Sequence, residues 1–94
     1  MERPKGFPVY HWNGTPPIHH LEPLSKAHNA LNEALEALCE ATPNMRDYYV
    51  LPNGLEEFDA AMQRHGEMKR KLGEVMQYIR ELSEWACMNE EVRR

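Results

Sequence analysis

The 42 residues from Asn53 to Arg94 contain no proline, and their apolar residues recur at helical spacing almost throughout. Leu55, Phe58, Met62, His65, Lys69, Leu72, Met76 and Ile79 alternate at three and four residues, with only Lys69 breaking the apolar line. A second line at seven-residue spacing, Ala61, Met68, Val75 and Leu82, widens that face, and the pattern runs on through Trp85, Ala86 and Met88. Asn53 stands where an N-cap belongs, with Glu56 three residues later, and Glu57 and Asp59 suit the positive end of a helix dipole. The chain is therefore built around one helix of about 36 to 38 residues, roughly 55 Å long at 1.5 Å per residue.

Upstream, a shorter helix is predicted from Pro23, a favourable first helical residue, to about Ala41, where Pro43 ends it. Leu24, Leu31, Leu35 and Leu38 form its core stripe, joined by His28, and Ala30, Ala34, Ala37 and Ala41 form a second stripe beside it. The connection from Thr42 to Asn53 is long for a helical hairpin. It carries Met45, Tyr48, Tyr49, Val50 and Leu51, which predicts an ordered, packed segment. Five of the seven prolines fall within the first 23 residues, interleaved with Phe7, Val9, Tyr10, Trp12 and Ile18. That composition forbids a long helix yet is too apolar for a free tail. The expected organisation is thus a proline- and aromatic-rich arm over 1–22 and a single helical-hairpin domain over 23–94. The fold class is all-α: an antiparallel hairpin with a long second helix that oligomerises into a bundle.

The oligomer follows from the unequal lengths. Pairing Ala41 with Leu55 puts Leu31 near His65 and Leu24 near Leu72, so everything after Val75 has no partner on the first helix. Leaving large apolar side chains in water forfeits about 1.5–3 kcal/mol each. Met76, Ile79, Leu82, Trp85 and Met88 are accordingly expected to form an oligomer interface, assisted by the arm. Gly66 and Gly73, seven residues apart, suggest close backbone approach or a bend, since each costs about 1 kcal/mol in a helix interior.

Several function classes are disfavoured. A net charge of -4 supplies no basic field for general nucleic-acid binding. No nucleophile elbow, phosphate loop or metalloprotease motif is present, so no catalytic residue is assigned and the chain is read as non-enzymatic. His11, His19, His20, His28 and His65 lack a metal-ligand spacing on a helix, and Cys39 and Cys87 form no CxxC pair, so neither a metal nor a cofactor is expected. No apolar run reads as a signal peptide or is long enough to span a bilayer, which points to a cytoplasmic protein with reduced thiols and no membrane partner.

One constellation suggests a ligand. Aromatic and basic residues interleave at Lys5, Tyr10, His11 and Trp12 on the arm and at Arg46, Tyr48 and Tyr49 in the connection, with Lys26 and His11 as candidate phosphate contacts. Flat rings stack on nucleobases while cations pair with phosphates. Arm and connection lie at opposite ends of one hairpin, so a pocket would need two chains. The alternative is that these rings only cover helix ends.

The stretch from His28 to about Leu82, with HNALNEAL and the loop Pro43-Asn44-Met45-Arg46-Asp47-Tyr48-Tyr49, resembles small uncharacterised helical-hairpin proteins of bacteriophages and prophages that share a PNxRDYY loop. That group has no assigned activity, so no residue role carries over. The resemblance implies a phage accessory protein acting by stoichiometric binding in the host cytoplasm. The expected function is counter-defence, as an oligomeric sponge for a nucleotide immune signal. The alternatives are an anti-CRISPR-like protein inhibitor that occludes a nucleic-acid-binding surface, or an assembly accessory protein.

Overall fold

The computed structural model describes residues 2–93, the side chain of Arg93 excepted. Two helices joined by a hairpin-like turn make up the fold, α1 over Pro17–Glu40 and α2 over Gly54–Arg93, with a single 3₁₀ turn at Met45–Asp47 between them and no strand among the described residues. The molecule is a rod of 65 × 23 × 17 Å.

Helix α1 begins six residues earlier than Pro23, at Pro17, and Pro23 lies inside it. The rule that proline favours the first helical position holds, but for the other proline. Pro16 is extended (φ -61°, ψ 147°), Pro17 follows with its ring pre-set for the helix, and the His19 N–H donates to the Pro16 carbonyl at 3.0 Å. Pro23 costs the helix one hydrogen bond, but it is exposed, so water reaches the carbonyl left without a donor. Burial decides the outcome: Pro17 is fully buried, and the added turns bring His20 and Leu21 into contact-making, half-buried positions. At the other end the Thr42 Oγ1 donates to the Cys39 carbonyl at 2.6 Å and Pro43 stops the chain from continuing as helix.

The register of the hairpin differs from the one that equalised its turn. Thr42 Oγ1 lies 3.5 Å from His65 Nε2. Counting away from that contact in both helices sets Leu31 level with Met76, His28 near Ile79, Leu24 near Leu82 and Leu21 near Ala86. Leu24 and Leu82 indeed line one cavity, and Met76 and Ala86 are the two buried apolar residues of the core, at 8% and 0% exposure. Relative to the pairing of Leu31 with His65, α1 has slid about three turns toward the C-terminus of α2. The expectation that Met76 to Met88 lacks a partner within the chain is therefore corrected. What overhangs is the other end, the first three turns of α2. Leu31 and His65, expected to be neighbours, stand about 16 Å apart along the rod.

This shift explains the length of the connection. Thr42 to Asn53 must climb back along the three overhanging turns of α2, about 16 Å, before α2 can begin. Asn44 starts that climb by accepting the Arg46 N–H at 3.0 Å, which caps the 3₁₀ turn. Tyr48 lays its ring edge-on to Phe58 with centroids 5.8 Å apart. The connection passes so close to the start of α2 that Gly54 is buried beneath the Tyr48–Tyr49 backbone. It is only partly packed: Met45 and Tyr48 are half-buried, while Tyr49, Val50 and Leu51 are exposed.

Along α2, Lys69, Leu72, Met76 and Ile79 are buried or half-buried on the side facing α1 as the periodicity indicates, Lys69 along its aliphatic stem, while His65 meets Thr42 and Phe58 meets Tyr48 beyond α1's end. Leu55 and Met62 of the same line are exposed because they precede α1's end. On the outer face Arg70 pairs with both Glu67 and Glu74, all well exposed. A Cβ added at Gly66 or Gly73 would meet nothing within 4 Å, so neither glycine serves a close approach within the chain. Gly66→Ala and Gly73→Ala are each expected to raise stability by about 0.5–1 kcal/mol. Chemical denaturation would measure this, and a loss of stability in either variant would mean that the glycine meets a neighbour outside the chain.

Candidate functional site

The segment before Pro17 folds onto the C-terminal half of α2. Trp85 Nε1 donates to the Pro8 carbonyl at 2.8 Å, and Phe7 meets the Trp85 ring edge-on with centroids 6.3 Å apart. Arg3 holds this turn from outside, donating to the Phe7 carbonyl at 2.8 Å. Tyr10 then reaches α1, where its hydroxyl and His20 Nδ1 share a hydrogen bond of 2.9 Å and the two rings tilt together. Burial under this segment raises the Tyr10 hydroxyl above its ordinary pKa of 10.0.

Two concavities result. One, of about 300 Å³, lies between Pro4 and Phe7 on one side and Trp85 and Met88 on the other, with Glu81 and Glu84 at its rim. The other, of about 270 Å³, is enclosed by Gly6, Pro8 and Tyr10, with His20 and Leu24 from α1 and Tyr78 and Leu82 from α2. The first has an acidic mouth and repels an anion. The second is framed by two tyrosines and a histidine. Phe7, His20, Tyr78, Glu81 and Glu84 were not singled out as site residues from the sequence. The contact that makes them neighbours spans more than seventy positions, and no local spacing carries such information.

The seven residues expected to bind a ligand divide into two groups at opposite ends of the rod. Tyr10 is committed to His20, while His11 is exposed beside Gly14 and Trp12 is 93% exposed. At the other end Tyr48 is half-buried against Phe58, while Arg46 and Tyr49 are exposed. The arm packs at Trp85 and the connection at Phe58, so the groups are about 40 Å apart along α2. Lys26 sits between them on α1, exposed and 3.7 Å from Glu22, an ion pair worth little in water. Within one chain these residues form no common pocket.

The residues expected at an oligomer interface are engaged within the chain. Met76 is buried, and Ile79, Leu82, Trp85 and Met88 are half-buried beneath α1 and the arm. The reason for placing the interface there, the missing partner, is removed by the register. Among the described residues no three His, Cys, Asp or Glu side chains cluster to hold a metal ion, and Cys39 and Cys87 are free and exposed. No described helix is long and apolar enough to cross a membrane. Comparison of the chain with known protein families, with curated proteins and with solved structures gives no match.

Proposed function

We propose that this chain is a non-enzymatic, phage-type counter-defence protein that works by stoichiometric binding, as an oligomer whose inter-subunit pockets sequester a nucleotide signal. The observation that carries this reading is the pair of exposed groups at the two ends of the rod, each a ring beside a basic side chain. Trp12 beside His11 and Tyr49 beside Arg46 add nothing to the chain's own core. A base stacked between such rings gains about 1–3 kcal/mol per ring contact, and an adjacent cation pairs with phosphate. Two antiparallel copies place one chain's arm against the other's connection, which sets Trp12 opposite Tyr49 as a second ring and brings Arg46 to the arm. Tyr10 and Tyr48, held by His20 and Phe58, then act as fixed walls.

Native mass spectrometry with a panel of cyclic and linear nucleotides tests the reading. The expected result is an oligomer that gains whole nucleotides in proportion to its subunit pairs, and loses them in Trp12→Ala and Tyr49→Ala variants. A monomer, or an oligomer that takes up no nucleotide, would sink it. The second reading is a protein inhibitor, favoured by the exposed apolar end formed by Tyr49, Val50, Leu51 and Leu55. It predicts an unaltered mass with every nucleotide and a stoichiometric complex with a host nuclease assembly.

A further inference from the structure

The rod has more surface than a chain of its mass leaves in water. A folded monomer of 11.0 kDa exposes about 5,600 Å². This chain exposes 7321 Å², an excess of about 1,700 Å². A standard interface buries about 800 Å² on each partner, and permanent homodimers bury more. The excess comes from the architecture: each helix in a two-helix layer has one neighbour, and among the described residues only Pro17, Met76 and Ala86 bury an apolar side chain.

Helical phase locates where a second layer fits. On α1, His20, Ala27 and Ala34 follow at seven-residue intervals along one flank, a line that Ala41 extends just past the helix end, and on α2 Leu82, Val75 and Met68 do the same along the flank beside it. In this register Ala34 is level with Gly73 and Ala41 with Gly66, so the two lines run side by side. Both begin under the arm, where His20, Ala27 and Leu82 are half-buried, with Tyr10 bonded to His20. Beyond the arm the same lines are bare: Ala34 and Ala41 are exposed, Val75 is 46% exposed and Met68 39%. The arm therefore supplies the second layer for one end of this face and leaves the rest uncovered.

We infer that a second copy of this chain packs on the face formed by Ala34, Ala41, Met68 and Val75, antiparallel, to complete a four-helix bundle. A parallel copy would drive two arms into the same gap. An antiparallel copy sets each arm beyond the partner's bare face, toward the partner's connection. The small alanines let the α1 helices approach closely while Met68 and Val75 supply the apolar contact. This inference deepens the reading of the chain as self-assembling, on which it rests, and is independent of the nucleotide.

Sedimentation of the full chain, with Ala34→Glu, Val75→Glu and, as a control at the exposed Asn32 on the opposite flank of α1, Asn32→Glu, tests it. The expected result is a dimer weakened at least tenfold by either of the first two changes and unaltered by the third. A wild-type monomer at 100 µM would overturn both this face and self-assembly. A wild-type oligomer indifferent to Ala34→Glu and Val75→Glu would overturn the face alone. Should those variants unfold, the wild type decides: a melting temperature that rises with protein concentration supports the interface, and one that does not overturns it. For the orientation, one copy labelled at position 12 and another at position 49, with Cys39 and Cys87 replaced by serine, should show efficient energy transfer. Transfer between two copies labelled at position 12 in its place overturns the antiparallel arrangement.

Discussion

Trp85→Ala is expected to destabilise the chain by about 3 kcal/mol, near the low end for loss of a buried tryptophan because the ring is half-exposed. The indole joins two elements that the backbone leaves far apart. Its edge contact with Phe7 and its hydrogen bond to the Pro8 carbonyl fix the arm across α2. Without it Phe7 and Pro8 lose their seat, Tyr10 is no longer led to His20, and the cover over Leu82 opens. Trp85→Phe separates the contributions, since it keeps an aromatic ring and loses the N–H donor, for a cost of about 1 kcal/mol. Urea unfolding gives the two magnitudes. Limited trypsin digestion at the Lys5–Gly6 bond reports whether the arm is released, and equal cleavage rates in the wild type and Trp85→Ala would show that this contact does not hold it.

Gly54→Ala is expected to cost about 2–3 kcal/mol, as overpacking does where the obstacle is main chain. An added Cβ would collide with the Tyr48 carbonyl oxygen and stand 3.1 Å from the Tyr49 Cα. Neither atom belongs to a flexible side chain, so the connection itself must lift from the start of α2. Left-handed backbone is not the reason, because Gly6 is the one described glycine with positive φ. Gly54 is needed for space alone. The loss should extend to the Tyr48–Phe58 contact, which a thermal melt and the near-ultraviolet circular dichroism of the tyrosines would both register. A variant as stable as the wild type would mean that the connection does not climb along α2 as described. The contrast with Gly66 and Gly73, where alanine should stabilise, makes the set internally controlled.

The periodicity from Leu55 to Ile79 carried the second helix, and Pro43 marked the end of the first to within a residue. Both rest on local physics: apolar side chains every three or four residues share a face, and proline cannot continue a helix. The start of the first helix was less legible. Pro17 and Pro23 both satisfy the preference for the first turn, and only the burial of Pro17 against the rest of the chain chooses between them. The candidate site was legible as residue types, in the rings and cations around Trp12 and Tyr49, and not as a place.

What the sequence determined by itself is therefore two amphipathic helices of unequal length and the faces they bury; of the apolar residues in the first segment Phe7 and Tyr10 pack, while Val9, Trp12 and Ile18 stay exposed. Tertiary structure decided the register. Two apolar stripes can interdigitate at several offsets one turn apart, and periodicity scores them alike. The offset is chosen by what lies outside the helices: the connection that must pass over Gly54, the Thr42–His65 contact, and the seat that Trp85 gives Phe7 and Pro8. That choice moved the unpartnered end of α2 from Met76–Met88 to its first three turns, where Leu55 and Met62 are exposed, because an arm and a first helix lengthened to Pro17 together already cover the C-terminal half of α2.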